Sequence, residues 1–339
     1  MRLLSLLTAA LAALSALAVA GTLPAPKPEP LPSETRAMLE TLRDAIARYE
    51  DFAVAEAEGW RPFGDEEPLM GRHYHLPDGV DYSGRETVPD PARPSNLMYS
   101  TIGGEQVLTG VAFGIRIAPG EDLPEGFPGS ADVWHVHDIP EVVDAATQSR
   151  PVLRFLAGLW LEHGFSGTED GRDRLAMVHV WATLDNPDGV FVHHNRLVPY
   201  LKHDLPPRFA DGASTEAARG LAIAAPEGCA NSFNGRLWVA AAERWQRRAI
   251  LAACETEAEA VRAAVAACGP DGADWLNAIA DAAYRRLDTT VAQILTVDQR
   301  ARIAALSEHT AAQTQSTGSR GWQLPEDSPA ASHGHQGSR

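Results

Sequence analysis

The chain has 339 residues, with 45 acidic against 29 basic side chains and a formal charge of −16, a balance that excludes the basic patch needed to hold nucleic acid or an anionic membrane surface. Hydrophobic residues make up 45% of it, enough for one large domain or two modest ones. Nine of the twelve histidines fall between His73 and His203, and that uneven distribution is the first sign of a site.

Residues 1–20 read as a secretory signal peptide. Met1-Arg2 gives a positive start, Leu3 to Val19 is apolar, and Ala18-Val19-Ala20 supplies the small residues of a cleavage site. The alternative is a single membrane anchor, since the run is about long enough to span a bilayer. Residues 21–32 form a tether containing five prolines, extended because proline fixes its backbone. An exported chain of this kind is expected in the periplasm or the medium, with no stable membrane insertion once the leader is removed.

The folded part is expected to be α+β: a domain over 33–210 with an antiparallel sheet, then a helical region over 214–309. Its first element is a helix from Glu34 to Glu58, with Ser33 as N-cap, Gly59 as stop and a stripe of Leu39, Leu42, Ile46, Tyr49 and Ala53 to pack on the sheet. Short alternating runs then predict strands at Met70–His75, Asn96–Ser100, Gln106–Ile117, Val133–His137, Ala176–Asp185 and Val190–His194, with a helix at Val152–Leu161. In the third of these, Val107, Thr109, Val111, Phe113, Ile115 and Ile117 share one face. Leu108, Gly110, Ala112, Gly114 and Arg116 share the other, a small-residue face that admits a helix, a backbone or a ligand.

Asn186-Pro187-Asp188-Gly189 has the chemistry of a type I turn with a glycine bulge. The hairpin it implies pairs Thr183 with His193, puts Val190, Val192 and His194 on the core side, and leaves His193 on the face of His179 and Trp181. Beyond Ser214, helices are expected at Leu237–Ala267 and Ala273–Leu306, joined by a turn at Gly269-Pro270-Asp271-Gly272; a capping box at Thr256 to Glu259 is an alternative break in the first. Residues 310–339, rich in Ser, Gln, Gly and Pro, read as a disordered tail. Of Cys229, Cys254 and Cys268, the last two lie about 21 Å apart on an unbroken helix, so a bridge would involve Cys229.

Imidazole is the commonest protein metal ligand, and an H-x-H pair on a strand points two rings from one face. The chain has two such pairs, His73/His75 and His135/His137. Adding His179 and His193 by strand parity gives six candidate ligands for Zn, Cu, Ni or Fe. Asp132, Asp138 and Glu162 are candidates to orient the rings or act as a base. Trp181 and Tyr74 are expected beside the site, and His163, His194 and His203 away from it. The chain has neither G-x-S-x-G nor a phosphate loop.

Met70-Gly71-Arg72-His73-Tyr74, Leu97-Met98-Tyr99, Leu108-Thr109-Gly110, His179-Val180-Trp181 and Asn186-Pro187-Asp188-Gly189-Val190-Phe191 together resemble a family of exported bacterial proteins that has no assigned reaction. The resemblance covers about Ala45 to Tyr200, departs at Phe113 where a tyrosine is common, and implies a shared fold and a shared site with His73 and His179 in it. Leu295-Thr296-Val297-Asp298-Gln299 resembles the L-T-x-x-Q motif of periplasmic stress and metal-sensing helical proteins, although helix-start chemistry at Thr296 explains it equally. The expected function is metal binding at a multi-histidine site. The alternatives are a metal-dependent hydrolase or oxidoreductase using the same ligands, and a non-catalytic envelope stress or interaction protein.

Overall fold

The computed structural model describes residues 31–76, 89–117, 123–129, 133–137, 152, 155–156 and 174–303. The leader, most of the tether, the tail, and all but three residues of the helix expected at Val152–Leu161 lie outside that set. The fold is α+β. One antiparallel sheet of six described strands runs in the order β1-β2-β3-β4-β6-β5, with β1 at Arg61–Glu67, β2 at Gly71–His75, β3 at Asn96–Ile102, β4 at Glu105–Ile117, β5 at His135–His137 and β6 at Arg174–Val180. Sequence periodicity missed β1 because Pro62 and Gly64 sit inside it. Both are tolerated there since β1 is an edge strand paired only to β2 among the described strands.

The first helix is broken rather than continuous. Helix α1 spans Ser33–Ile46, a 3-10 turn covers Ala47–Glu50, and α2 spans Phe52–Ala57. Pro32, not Ser33, holds the N-cap position of α1. The break has two local causes: the Tyr99 hydroxyl donates to the Tyr49 carbonyl at 2.6 Å, and extended Asp51 caps α2 by accepting from the Ala53 amide. Leu39, Leu42, Ile46 and Tyr49 are buried as expected, but the break rotates the stripe, so Ala55 is buried and Ala53 is exposed. These residues pack on Leu97, Tyr99, Val111, Phe113, Ile115, Val178 and Val180, each large aliphatic chain contributing about 1.5–3 kcal/mol by leaving water.

A bulge decides which residues of β4 face the other way. Met98 pairs with Gly110 but Tyr99 pairs with Leu108, so Thr109 is the extra residue, and its hydroxyl lies 3.1 Å from the carbonyl oxygens of both Met70 and Met98. Leu108 therefore joins the α1 side of the core, against simple alternation. From Gly110 onward the small face is as expected. Gly103 and Gly104, both at positive φ, close the two-residue loop between β3 and β4.

The hairpin partner expected at Val190–His194 is not a strand. β6 ends at Val180, Thr183 donates to the Leu108 carbonyl instead of pairing with His193, and Phe191, not Val192 or His194, enters the main core with Val190 against it. Gly189 does adopt positive φ, at 122°, and its amide bonds the Asn186 carbonyl at 3.0 Å. One backbone bond crosses the loop, from the Trp181 amide to the Val190 carbonyl at 2.8 Å, and side chains supply the rest: Trp181 Nε1 donates to the Val192 carbonyl at 2.6 Å, Asn186 Nδ2 to the His194 carbonyl at 2.8 Å, and Asn195 Nδ2 to the Asp185 carbonyl at 3.0 Å. Arg196 grips both oxygens of Asp188 at 2.6 Å.

The helical region comprises α3 (Leu197–Lys202), α4 (Thr215–Ala224), α5 (Gly228–Val239), α6 (Arg244–Ala267) and α7 (Ala273–Ile294), with a further turn of helix at 297–303. The helix expected from Leu237 is two helices, because Ala241 takes positive φ and Glu243 with Gln246 forms a capping box that starts α6. No break occurs at Thr256, whose hydroxyl bonds back to the Ala252 carbonyl. The second expected helix stops at Ile294 and restarts through reciprocal bonds between Thr296 and Gln299, the helix-start chemistry of the L-T-x-x-Q residues. The turn before α7 forms, with Gly272 bonding the Gly269 carbonyl at 3.0 Å. Cys229 and Cys254 form a disulfide joining α5 to α6, and Cys268 is free. No helix among the described residues is long and apolar enough to cross a membrane.

Candidate metal centre

The face of the sheet turned away from α1 is built on a floor of small residues. Gly110, Ala112 and Gly114 follow one another along it at every second position of β4. Cross-strand pairing sets His179 opposite Ala112, Met177 opposite Gly114, His135 opposite Met177, and His73 opposite Met98. The absence of large side chains on β4 lets imidazoles from β2, β5 and β6 lean over it and meet. Ala112 is fully buried beneath them, in a cluster with Met70, Met98, Met177, Trp181 and Val198.

Four rings converge. His73 Nε2 lies 3.3 Å from His179 Nε2, and His193 Nδ1 lies 3.1 Å from His135 Nδ1. His135 and His179 stand with ring centroids 4.9 Å apart, His135 and His193 4.0 Å apart, and His179 and His193 stack at 4.9 Å. One nitrogen from each of His135, His179 and His193 fits within 4.8 Å of the others. His135 and His179 are buried while His73 and His193 are half-buried, so the group is an enclosed pair flanked by two more accessible rings.

The proton on His179 can be placed. Its Nδ1 lies 2.8 Å from the His193 carbonyl oxygen, which only accepts, so Nδ1 carries a hydrogen, and in the neutral ring Nε2 presents a lone pair toward His73. A ligating histidine generally has this arrangement, with the outer N–H held by a carbonyl or carboxylate. The loop that supplies the carbonyl is the one pinned by Trp181, Asn186 and Asn195. Asn195 is fully buried and its amide also bonds the Leu69 carbonyl at 2.8 Å, tying the loop to the residues that precede β2.

Of the six histidines expected at the site, His73 stands against His179 at 3.3 Å but outside the three-histidine group, which His135, His179 and His193 form. His193 joins it from an irregular loop rather than from the expected strand. His75 follows His73 on β2 opposite Arg61 and Asn96, and its nitrogens fall outside the three-histidine group. His137 lies on β5 opposite Leu175, with its side chain outside the described residues. Asp132, Asp138, Glu162 and His163 also lie outside them.

Trp181 stands beside the site, its ring centroid 6.4 Å from that of His179. Tyr74 does not: the alternation of β2 sends it to the α1 side, against Phe52 and Tyr99. His203 is apart, with its Nε2 donating to the Leu221 carbonyl at 2.8 Å. His194 is closer than expected, its ring 4.2 Å from that of His193. Burial, assisted by the charges of Arg219 and Arg236, lowers the pKa of His194 to about 4, so its ring is neutral at neutral pH.

No protein-family model matches this chain, and no curated protein or solved structure is significantly similar to it. The chemistry of the site rests on its own geometry. The three-histidine group, with its nitrogens within 4.8 Å of one another, could hold a transition ion: two nitrogens bound to one metal at 2.0–2.1 Å and a tetrahedral angle stand about 3.3–3.4 Å apart, close to the separation in the His135/His193 pair. Neutral imidazole is also the ligand that zinc, copper, nickel and iron share.

Proposed function

We propose that this chain is an exported transition-metal-binding protein whose ligands are His73, His135, His179 and His193. The observation that carries the reading is the His179 ring. One of its nitrogens is fixed by the His193 carbonyl while the other faces a second imidazole at 3.3 Å, so its lone pair is set for an ion before any ion arrives. Bound there, the metal would supply a Lewis-acid and electron-pair acceptor centre. The protein contributes orientation, through the pinned 185–196 loop, and exclusion of water, through Trp181 and the buried floor of β4. Export is supported by the leader-like start of the chain and by the Cys229–Cys254 disulfide, a bond that persists in oxidising compartments.

The test is elemental analysis of the mature protein purified without a histidine tag, beside His73→Ala and His179→Ala. The reading expects close to one equivalent of a first-row metal in the wild type and a large loss in both variants. A wild type that is metal-free and takes up no added zinc, copper, nickel or iron overturns it.

A further inference from the structure

Thioethers share the floor with the imidazoles. The chain has only five methionines, and three of them, Met70, Met98 and Met177, belong to the one buried cluster that underlies the histidines. Their placement follows the same small-residue floor. A Cβ on Gly110 would come within 3.0 Å of the Met98 methyl, and one on Gly114 within 3.6 Å of the Met177 methyl, so each methionine ends against a glycine of β4. His179 stands between them, opposite Ala112.

The cross-strand register repeats the pairing at each end of the group. Met98 is the direct partner of His73 and Met177 the direct partner of His135. Directly opposed residues have Cβ atoms about 4.5–5.5 Å apart, and methionine has three rotatable bonds with which to turn its sulfur. No carboxylate or thiol joins the three-histidine group among the described residues, and the free thiol, Cys268, lies just beyond the end of α6.

We infer that the metal is copper, held as Cu(I) by imidazole nitrogen together with the thioether sulfur of Met98 or Met177. The inference rests on the metal-binding reading above and specifies its ion. Hard cations prefer carboxylate and carbonyl oxygen, and zinc takes imidazole without needing thioether. Soft thioether selects Cu(I). A bare hydrophobic reason for the methionines would be met by leucine, which fills nearly the same volume, and that difference makes the idea testable.

The experiment compares the tag-free mature wild type with M98L, M177L, the double variant and H179A. Cu(I) binding is measured under reducing conditions by competition with bicinchoninate, and Zn(II) binding by competition with a chromogenic chelator. The double methionine variant is expected to lose about tenfold or more in Cu(I) affinity while its Zn(II) affinity stays unchanged; H179A loses both. X-ray absorption at the copper edge should show a sulfur shell in the wild type. In protein labelled with selenomethionine that shell becomes selenium, a readout that needs no variant to fold. Unchanged Cu(I) affinity in the double variant, or a nitrogen-only copper shell, overturns the copper inference and leaves the histidine site standing. A wild type that binds neither metal overturns both.

Discussion

The sheet half and the helical half of the molecule solve different problems with different residue types. In the sheet half, one face is a conventional core of Leu97, Val111, Phe113, Ile115, Val178 and Val180 under α1, while the other buries His135 and His179 over glycine and alanine. In the helical half, alanine lets helices approach closely. Ala217, Ala218, Leu221, Ala280 and Ala283 form one cluster, and Gly220 faces the Ala280 carbonyl so tightly that an added Cβ would lie 2.1 Å from its oxygen. A disulfide staples α5 to α6. The sheet half thus spends burial on polar rings that must be oriented by hydrogen bonds, and the helical half on apolar contact and a covalent tie. The candidate metal centre lies in the first and the covalent staple in the second.

That contrast can be broken or sharpened by four measurements. The largest effect is expected for His179→Ala, which removes the ring shared by both ends of the imidazole group. Metal affinity should fall by at least about 100-fold, beyond the usual cost of losing an orienting partner, alongside a loss of about 1–3 kcal/mol in the metal-free protein from unpairing the His193 carbonyl. Equal affinity in wild type and variant would remove His179 from the site.

Next comes the staple. Replacing Cys229 and Cys254 together by serine opens a loop with a sequence separation of 25, and chain entropy assigns such a closure about 3.5 kcal/mol. Denaturant unfolding should register a loss of that order with metal affinity unchanged. A drop in affinity as large as that of His179→Ala would show that the two halves are not separable in this way. Gly220→Ala should be milder, about 1–3 kcal/mol as α4 and α7 are forced apart, and again without effect on metal uptake.

The smallest effect concerns pH. Burial lowers the pKa of His203 below its ordinary 6.5, with Lys202 and Arg262 adding to the shift and the bond to the Leu221 carbonyl opposing it. A depressed folded pKa means that the unfolded chain takes up the proton first, so the contribution is constant above pH 6.5 and stability falls as the pH drops from 6.5 toward the folded value. His203→Gln should flatten part of that decline relative to wild type. A decline of the same steepness in the variant would assign it to other histidines.

Much of the site was legible from parity. His179, Trp181 and Met177 were placed opposite the apolar face by alternation alone, and the small face of β4 was readable as Gly110, Ala112 and Gly114, since side-chain direction along a strand depends only on counting by two. Counting failed where the backbone departs from the ladder. The bulge at Thr109 turned Leu108 inward. The loop after Asn186 closed largely through side chains, so Phe191 rather than Val192 or His194 entered the core beside Val190. β1 was hidden because a proline at an edge looks like a proline in a loop. Helix ends were misjudged where Tyr99 and Asp51, or Glu243 and Gln246, supplied bonds that periodicity does not register.

The sequence by itself determined the α+β class, most strand positions, the turn before α7 and the side of the sheet on which His73 and His179 project, because these depend on local propensity and a period of two. Only the tertiary structure decided that β5 pairs outside β6, that His135 therefore meets His179, and that an irregular loop delivers His193 and its carbonyl. Those contacts join residues far apart in the chain, and their formation depends on which strand edges and buried carbonyls remain to be satisfied once the rest of the fold is in place.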